Sequence, residues 1–351
     1  MSKIQKDFEK LLNDKVDKNF ILPEFTKKLA DKLLNRIKKI KLYSQGYAFT
    51  LNFIHENFTA KDHLIFADKF NLSGIDLHIN NGEKVQLINM NKSELTKIKK
   101  LAKKLNIKII LEISTTKKEQ VNKVVEIARV LEVKHIRVYS MHEGKLRDCI
   151  KNCIKDLKYA CKLAEKYNLY FSIEPHEAMK SNELVQIVNK VNSKKLSILY
   201  DFGNMINSNE KPLPSLIKMA PYIEWAHIKD VNIKKDGKGF GQQGVKDGTG
   251  DLPQIRQIYE LLMLGQKVPQ VKFFSLQQVN GYLSPAYRFK NEGINPIIPP
   301  RSESIKKEDK KISIIKNLQI EKKNAIQQVI YIKKLLDKLN KLCERRLSMK
   351  K

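Results

Sequence analysis

Arginine is scarce for so basic a chain. Lysine and arginine total 67 against 38 aspartates and glutamates, a formal charge of +29, yet only nine of the 67 are arginine. Bidentate recognition of phosphates and base edges favours arginine. The charge therefore reads as codon bias in a chain also crowded with asparagine and isoleucine, and implies weak binding to polyanions rather than a specific nucleic-acid partner. Cysteine is sparse too. Cys149, Cys153, Cys161 and Cys343 contain no Cys-x-x-Cys pair, which excludes a disulfide framework and counts against thiolate-bound zinc or an iron–sulfur cluster. No run of about 20 apolar residues is present to span a membrane. The first 15 residues mix acids and bases without an apolar centre, so no signal peptide is expected and the expected compartment is the cytoplasm. No Gly-x-Gly-x-x-Gly follows the first expected strand, against a dinucleotide-binding fold.

What the chain does have is a rhythm. Short runs rich in β-branched and aromatic residues occur at 47–54, 74–79, 107–113, 135–140, 169–174, 196–201, 223–228 and 271–277. Helical periodicity fills the intervals, as at 93–105, 118–131, 148–167 and 182–191, with N-caps expected at Ser93 and Thr116. Eight βα units in a row predict a closed (β/α)8 barrel, a fold of about 250 residues. A Lys-rich helical extension is expected at 1–45, the barrel at 46–342 with a closing helix over 320–342, and a basic tail at 343–351. A Gly-rich stretch, 236–244 and 248–253, reads as a loop able to cover a substrate or hold a phosphate through its N–H groups. Residues 281–301 read as irregular and 302–311 as a charged, solvated segment.

Three of the expected strands end in groups that can bind a metal: Glu174 followed by Pro175 and His176, Asp201 followed by Phe202, Gly203 and Asn204, and His227 followed by Ile228, Lys229 and Asp230. One such residue is usually a loop anchor. Three in register on successive parallel strands converge on one rim, which favours a cation site. Oxygen and nitrogen donors without cysteine suit one divalent ion, Mn²⁺, Mg²⁺, Co²⁺ or Zn²⁺. His78 and Glu112, on the second and third strands, are further candidates to line the pocket, although Glu112 reads equally well as facing a helix. Arg137 on the fourth can reach an acidic substrate, although structural pairing is the favoured reading. Trp225 shares a strand face with His227 and is expected to pack below the site.

Ser-Ile-Glu174-Pro-His, Asp201-Phe-Gly-Asn204, Ala-His227-Ile-Lys229-Asp230 and Gly248-Thr-Gly-Asp251 together resemble the signature of the xylose isomerase-like TIM barrels, and within them the sugar phosphate isomerase/epimerase group. The resemblance implies a metal held by Glu174, Asp201, His227 and a fourth ligand ending the last strand. It also implies catalytic roles for Glu174, Lys229 and His176, and substrate contacts from His78, Arg137, Asn204 and Asp230. The implied function is metal-dependent isomerisation, epimerisation or a related lyase reaction on a small sugar or sugar-derived keto compound, through an enediolate. The chain departs from the family at the fourth ligand, where Gln277 stands in place of glutamate. Glutamine offers a carbonyl oxygen to a hard cation but takes no proton, which leaves Glu174 as the only glutamate of the family's catalytic pair. A barrel that binds a sugar-like ligand or a partner without turnover is the second reading. An abasic-site endonuclease is the third, disfavoured because Asn204 stands where that chemistry would need another histidine. The terminal extensions offer surface for self-association.

Overall fold

Alternation along eight short strands sorts polar from apolar side chains and closes the sheet around them. The computed structural model describes residues 2–17, 20–55, 58–80, 86–279, 281–300 and 313–349. The barrel strands, first to eighth, are Lys41–Gln45, Gly74–His78, Lys108–Glu112, His135–Val138, Tyr170–Ile173, Leu196–Asp201, Ile223–Ile228 and Phe273–Leu276. Each pairs in parallel with the next, and the eighth returns to the first. Tyr43, Ile110, Leu199, Trp225 and Phe273 form a separate buried cluster inside this ring. Because strand side chains alternate with period two, the residues two further on, among them Gln45, Glu112, Asp201 and His227, lie one layer higher. Trp225 therefore packs beneath His227, as the alternation predicts, and its Nε1–H donates to Ser172 Oγ at 2.7 Å. Tyr43 fits because the neighbouring second strand carries Gly74. A Cβ there would lie 2.3 Å from the Tyr43 ring.

The helices Lys92–Lys104, Lys118–Leu131, Leu146–Tyr167 and Ser181–Val191 pack outside, as their periodicity predicts. All four cysteines are buried and free. The expected caps are displaced. Asn91 and Glu94 form a reciprocal capping box, while the Thr116 hydroxyl turns away to Asp156 at 2.9 Å.

The strand expected at 47–54 is instead a 3-10 turn, Gly46–Phe49, followed by the helix Thr50–Ile54. The first strand, Lys41–Gln45, lies just ahead of it. Tertiary contacts override the β-rich composition here. The Gln45 side chain accepts the Tyr47 N–H at 2.6 Å, and Glu321, from the C-terminal helix, accepts the N–H groups of Leu51 and Asn52 at 3.1 and 2.9 Å.

The N-terminal helices Lys3–Leu12 and Lys27–Lys39 dock on the outer layer. Phe8 stacks on Phe25 at 4.2 Å, and Arg36 donates to the carbonyls of Leu264, Gly265 and Gln266. The C-terminal helix, Ile314–Ser348, runs past residue 342, burying Cys343 and carrying Arg345 and Arg346 on its last turn. The Gly-rich stretch is an antiparallel hairpin, Asp230–Asp236 with Gly239–Val245, extended by Leu283–Ser284. The charged segment 302–311 lies outside the described residues. Among the described residues, no helix is long and apolar enough to cross a membrane.

Candidate active site

The strands deliver their polar residues to one buried cluster at the carboxyl ends. Glu174 directly follows the fifth strand, Asp201 ends the sixth, His227 lies one residue before the end of the seventh, and Gln277 directly follows the eighth. Glu174, Asp201 and His227 each offer a donor atom within 4.8 Å of the other two, so the three converge as the sequence predicts. Asp76, Glu112 and His227 meet the same condition, and His227 belongs to both groups. One ring nitrogen of His227, Nδ1, is 3.3 Å from Glu174 Oε1, while Nε2 lies 3.3 Å from Glu112 Oε1 and 3.6 Å from Asp76 Oδ2.

Two cations are built into the cluster. Arg137 places Nη2 3.1 Å from Glu112 Oε2 and Nε 3.1 Å from Glu174 Oε2. Lys229 Nζ lies 3.1 Å from Asp201 Oδ1 and donates to Asn204 Oδ1 at 2.6 Å. Asn204 in turn donates to Glu174 Oε1 at 3.1 Å. Burial alone would raise the Glu174 carboxyl, but Arg137 and then His227 hold it well below the usual carboxylate range, so it is ionised at neutral pH. Burial opposes charge on His227 as well. The carboxylates, led by Glu174, overcome it and lift the imidazole well above its ordinary value.

The donor set fits a divalent cation. Asp201 Oδ1 accepts the N–H groups of Gly203 and Asn204, each at 2.8 Å. Asp201 Oδ2, Gln277 Oε1 and Asp76 Oδ1 are buried with no hydrogen-bond donor among the described residues. Leaving such oxygens unmatched is costly, and oxygens with an imidazole suit a hard or borderline ion. The Gln277 N–H donates to Ile228 O at 2.9 Å, which anchors the backbone beside the rim.

The remaining sequence-expected residues divide. Lys229 and Asn204 belong to the network. Arg137 is on the barrel interior, engaged with two glutamates rather than open to an acidic substrate. His78 is fixed by Ser114 Oγ at 2.8 Å and by the Asn80 N–H at 3.0 Å. Burial pushes its pKa down to about 4 and keeps it neutral. His176 stacks on Tyr139, with ring centroids 3.9 Å apart, and is partly exposed at the mouth. Asp230 lies apart from the cluster. Its carboxylate accepts N–H groups of Val231, Gly248, Gly250 and Leu252, so it anchors the Gly-rich turn.

Four residues of the cluster and its mouth went unread in the sequence: Gln45, Asp76, Glu177 and Gln242. Gln45 donates to Glu112 Oε2 at 2.7 Å. Gln242 comes from the hairpin and donates to Asn207 Oδ1 at 2.6 Å and Asn204 Oδ1 at 3.1 Å. Gly203 makes room for it, since a Cβ there would lie 2.5 Å from Gln242 Oε1. Glu177 is buried at φ +71, an uncommon conformation for a residue with a side chain, and accepts the Tyr282 hydroxyl at 2.6 Å. Asp76 carried a readable signal, because it shares the face of His78 on the second strand.

A parallel eight-stranded barrel with a carboxylate–imidazole rim defines the class. The family described as xylose isomerase-like TIM barrel matches residues 64–262, more than half of the chain, and the protein belongs to that family. An uncharacterized Escherichia coli protein, YihM, is 36% identical over 310 residues, covering 88% of this chain and 95% of that one. The 3-oxo-isoapionate decarboxylase of Pectobacterium atrosepticum is 26% identical over 160 residues, 45% of this chain and 58% of the enzyme. Among solved structures, a xylose isomerase-like TIM barrel protein from Mycobacterium smegmatis in complex with magnesium superposes with a TM-score of 0.57 at 12% identity, covering 88% of this chain and 99% of that one.

Proposed function

We propose that the protein is a divalent-metal-dependent enzyme that moves a proton at the carbon beside a carbonyl in a small sugar or sugar-derived keto compound, using one glutamate rather than two. In this reading Glu174, Asp201, His227 and Gln277 hold the cation. The observation that carries it is the convergence of Glu174, Asp201 and His227 from three successive strands, with Asp201 Oδ2 buried and donorless among the described residues, and Gln277 Oε1, after the next strand, buried and donorless as well. The bound cation would supply Lewis-acid polarisation of the substrate carbonyl.

The chain's own groups do the rest. Glu174 is ionised and is the glutamate able to receive the proton. Lys229 offers an N–H to an oxygen that gains negative charge, while Asp201 and Asn204 hold its ammonium in place. Gln277 cannot exchange a proton, which favours one-base isomerisation or elimination over an epimerisation that needs a base on each face. The magnesium of the Mycobacterium smegmatis structure and the keto-sugar-acid substrate named for the Pectobacterium decarboxylase support the same class. Endonuclease chemistry on abasic DNA ranks lower, because the cluster has a single imidazole among four carboxylates.

The test is metal content per chain, measured by elemental analysis after loading with Mn²⁺, for the wild type beside Asp201→Ala. About one ion per chain, lost in the variant, supports the reading and justifies a screen of ketoses, aldoses and keto acids. No ion in the wild type defeats it and leaves a barrel that binds its ligand without turnover. Cleavage of abasic DNA, or two or more ions per chain, would put the endonuclease reading first.

A further inference from the structure

The opposite end of the barrel, where the strands begin, opens into a cavity of about 670 Å³. Small-molecule pockets are commonly about 300–1,000 Å³. Its inner wall includes Tyr43 and Phe273, stacked with ring centroids 4.6 Å apart, which belong to the lowest apolar layer of the interior. Its edge carries Lys39, Lys41, Lys108 and Lys134.

The placement of two of these lysines is unusual. Lys41 and Lys108 precede the interior residues Tyr43 and Ile110 by two positions, so each occupies an inward-facing site at a barrel mouth, where an apolar residue would ordinarily close the core. Between their strands lies Gly74, paired with Lys108, and the Tyr43 ring packs over it. The acidic residue that lines the cavity, Glu132, is already 2.6 Å from Lys103 and 3.2 Å from Lys99. Among the described residues, Lys39, Lys41, Lys108 and Lys134 make no ion pair. Ammonium groups gathered around one concavity repel each other, and an anion seated between them relieves that repulsion. Lysine binds phosphate as a point charge.

We infer that this lower mouth of the barrel binds a polyphosphate anion through the lysines at its edge. The site is separate from the carboxylate rim and does not depend on the function proposed for it.

The test is calorimetric titration of the full-length protein with ATP, tripolyphosphate and adenosine. Lys41→Gln/Lys108→Gln is compared with Lys155→Gln/Lys162→Gln, which removes the same charge from exposed positions on the helix Leu146–Tyr167. The expected result is one ATP per chain, bound at least about tenfold more weakly by the first double variant and unchanged in the second. Bound ATP should also shield Lys41 and Lys108 of the wild type from acetylation, a readout that does not rely on the variant folding. Equal losses in the two double variants would show diffuse attraction to a basic surface and overturn the site. Binding of adenosine as tight as that of ATP would overturn the polyphosphate assignment, and absence of saturable binding would overturn the whole inference.

Discussion

Arg137 Nε lies 3.1 Å from Glu174 Oε2 in the buried mouth of the barrel. The same guanidinium reaches Glu112, so one cation offsets two carboxylates that burial would otherwise penalise. Arg137→Met should leave both with His227 alone to offset them. Breaking a buried pair from one side costs about 3–5 kcal/mol, so the metal-free variant is expected to melt well below the wild type. A divalent cation would then restore part of the missing positive charge, and the rise in Tm on adding Mn²⁺ should be larger in the variant. An Mn²⁺ shift no larger than in the wild type would mean that Arg137 and the cation do not act on the same carboxylates.

Asp247 is a buried acid with a different fate. Burial comes first, repulsion from Asp230 adds to it, and together they push its pKa up to about 8 against the hydrogen bond from Gln254. The folded state thus keeps a proton that the unfolded chain releases near its ordinary value of about 4. This group's contribution to stability is complete below about pH 4 and declines as the pH rises through about 8, each unit of difference being worth about 1.4 kcal/mol. Asp247→Asn, which resembles the protonated acid, should gain on the wild type between about pH 5 and pH 8 and stay level beyond. Urea midpoints across that range decide it, and parallel curves would show that Asp247 is ionised in the fold.

The barrel and three members of its rim were legible because their signals are local. Strand composition, helical period and strand-end carboxylates all sit within a few residues of one another. The first strand was misplaced because Lys41–Gln45 is short and opens on lysine, while 47–54 looks more β-like and becomes helical through contact with Glu321, about 270 residues away. Gln242 was illegible for a related reason. A glutamine in a Gly-rich stretch carries no signal until the hairpin folds over Gly203 and brings it to Asn204. Glu112 was ambiguous in sequence, since its role depends on Arg137, one strand over.

Gly74 tests the interior packing. A methyl group there would lie 2.3 Å from Tyr43 Cε2 and 2.5 Å from Cδ2, so the ring, stacked on Phe273, must shift. Overpacking of this kind costs about 1–3 kcal/mol. Gly74→Ala should therefore destabilise the protein, and Gly74→Ala with Tyr43→Val should cost less than the two single changes added together. Strict additivity in urea unfolding would remove Tyr43 as the reason for the glycine.

Gln277→Glu addresses the departure from the family pattern directly. In the wild type, Asp76, Glu112, Glu174 and Asp201 face Arg137, Lys229 and the raised His227 within one buried cluster. A further carboxylate at the end of the eighth strand adds a negative charge with no new cation in the chain. The metal-free variant should lose about 1–3 kcal/mol. An ionised ligand also attracts a divalent ion more strongly than an amide carbonyl does, so Mn²⁺ should bind roughly tenfold or more tightly and recover the lost stability. If the proposed chemistry is right, the new glutamate also restores a group able to exchange a proton on the second face of a substrate, and ketose epimerisation should appear or increase. Thermal shifts with and without Mn²⁺ read the binding, and a ketose epimerisation assay reads the chemistry. Tighter binding without epimerisation would keep residue 277 as a ligand and deny it a catalytic role. No change in either would place Gln277 outside the cation site and leave Glu174, Asp201 and His227 to hold the ion.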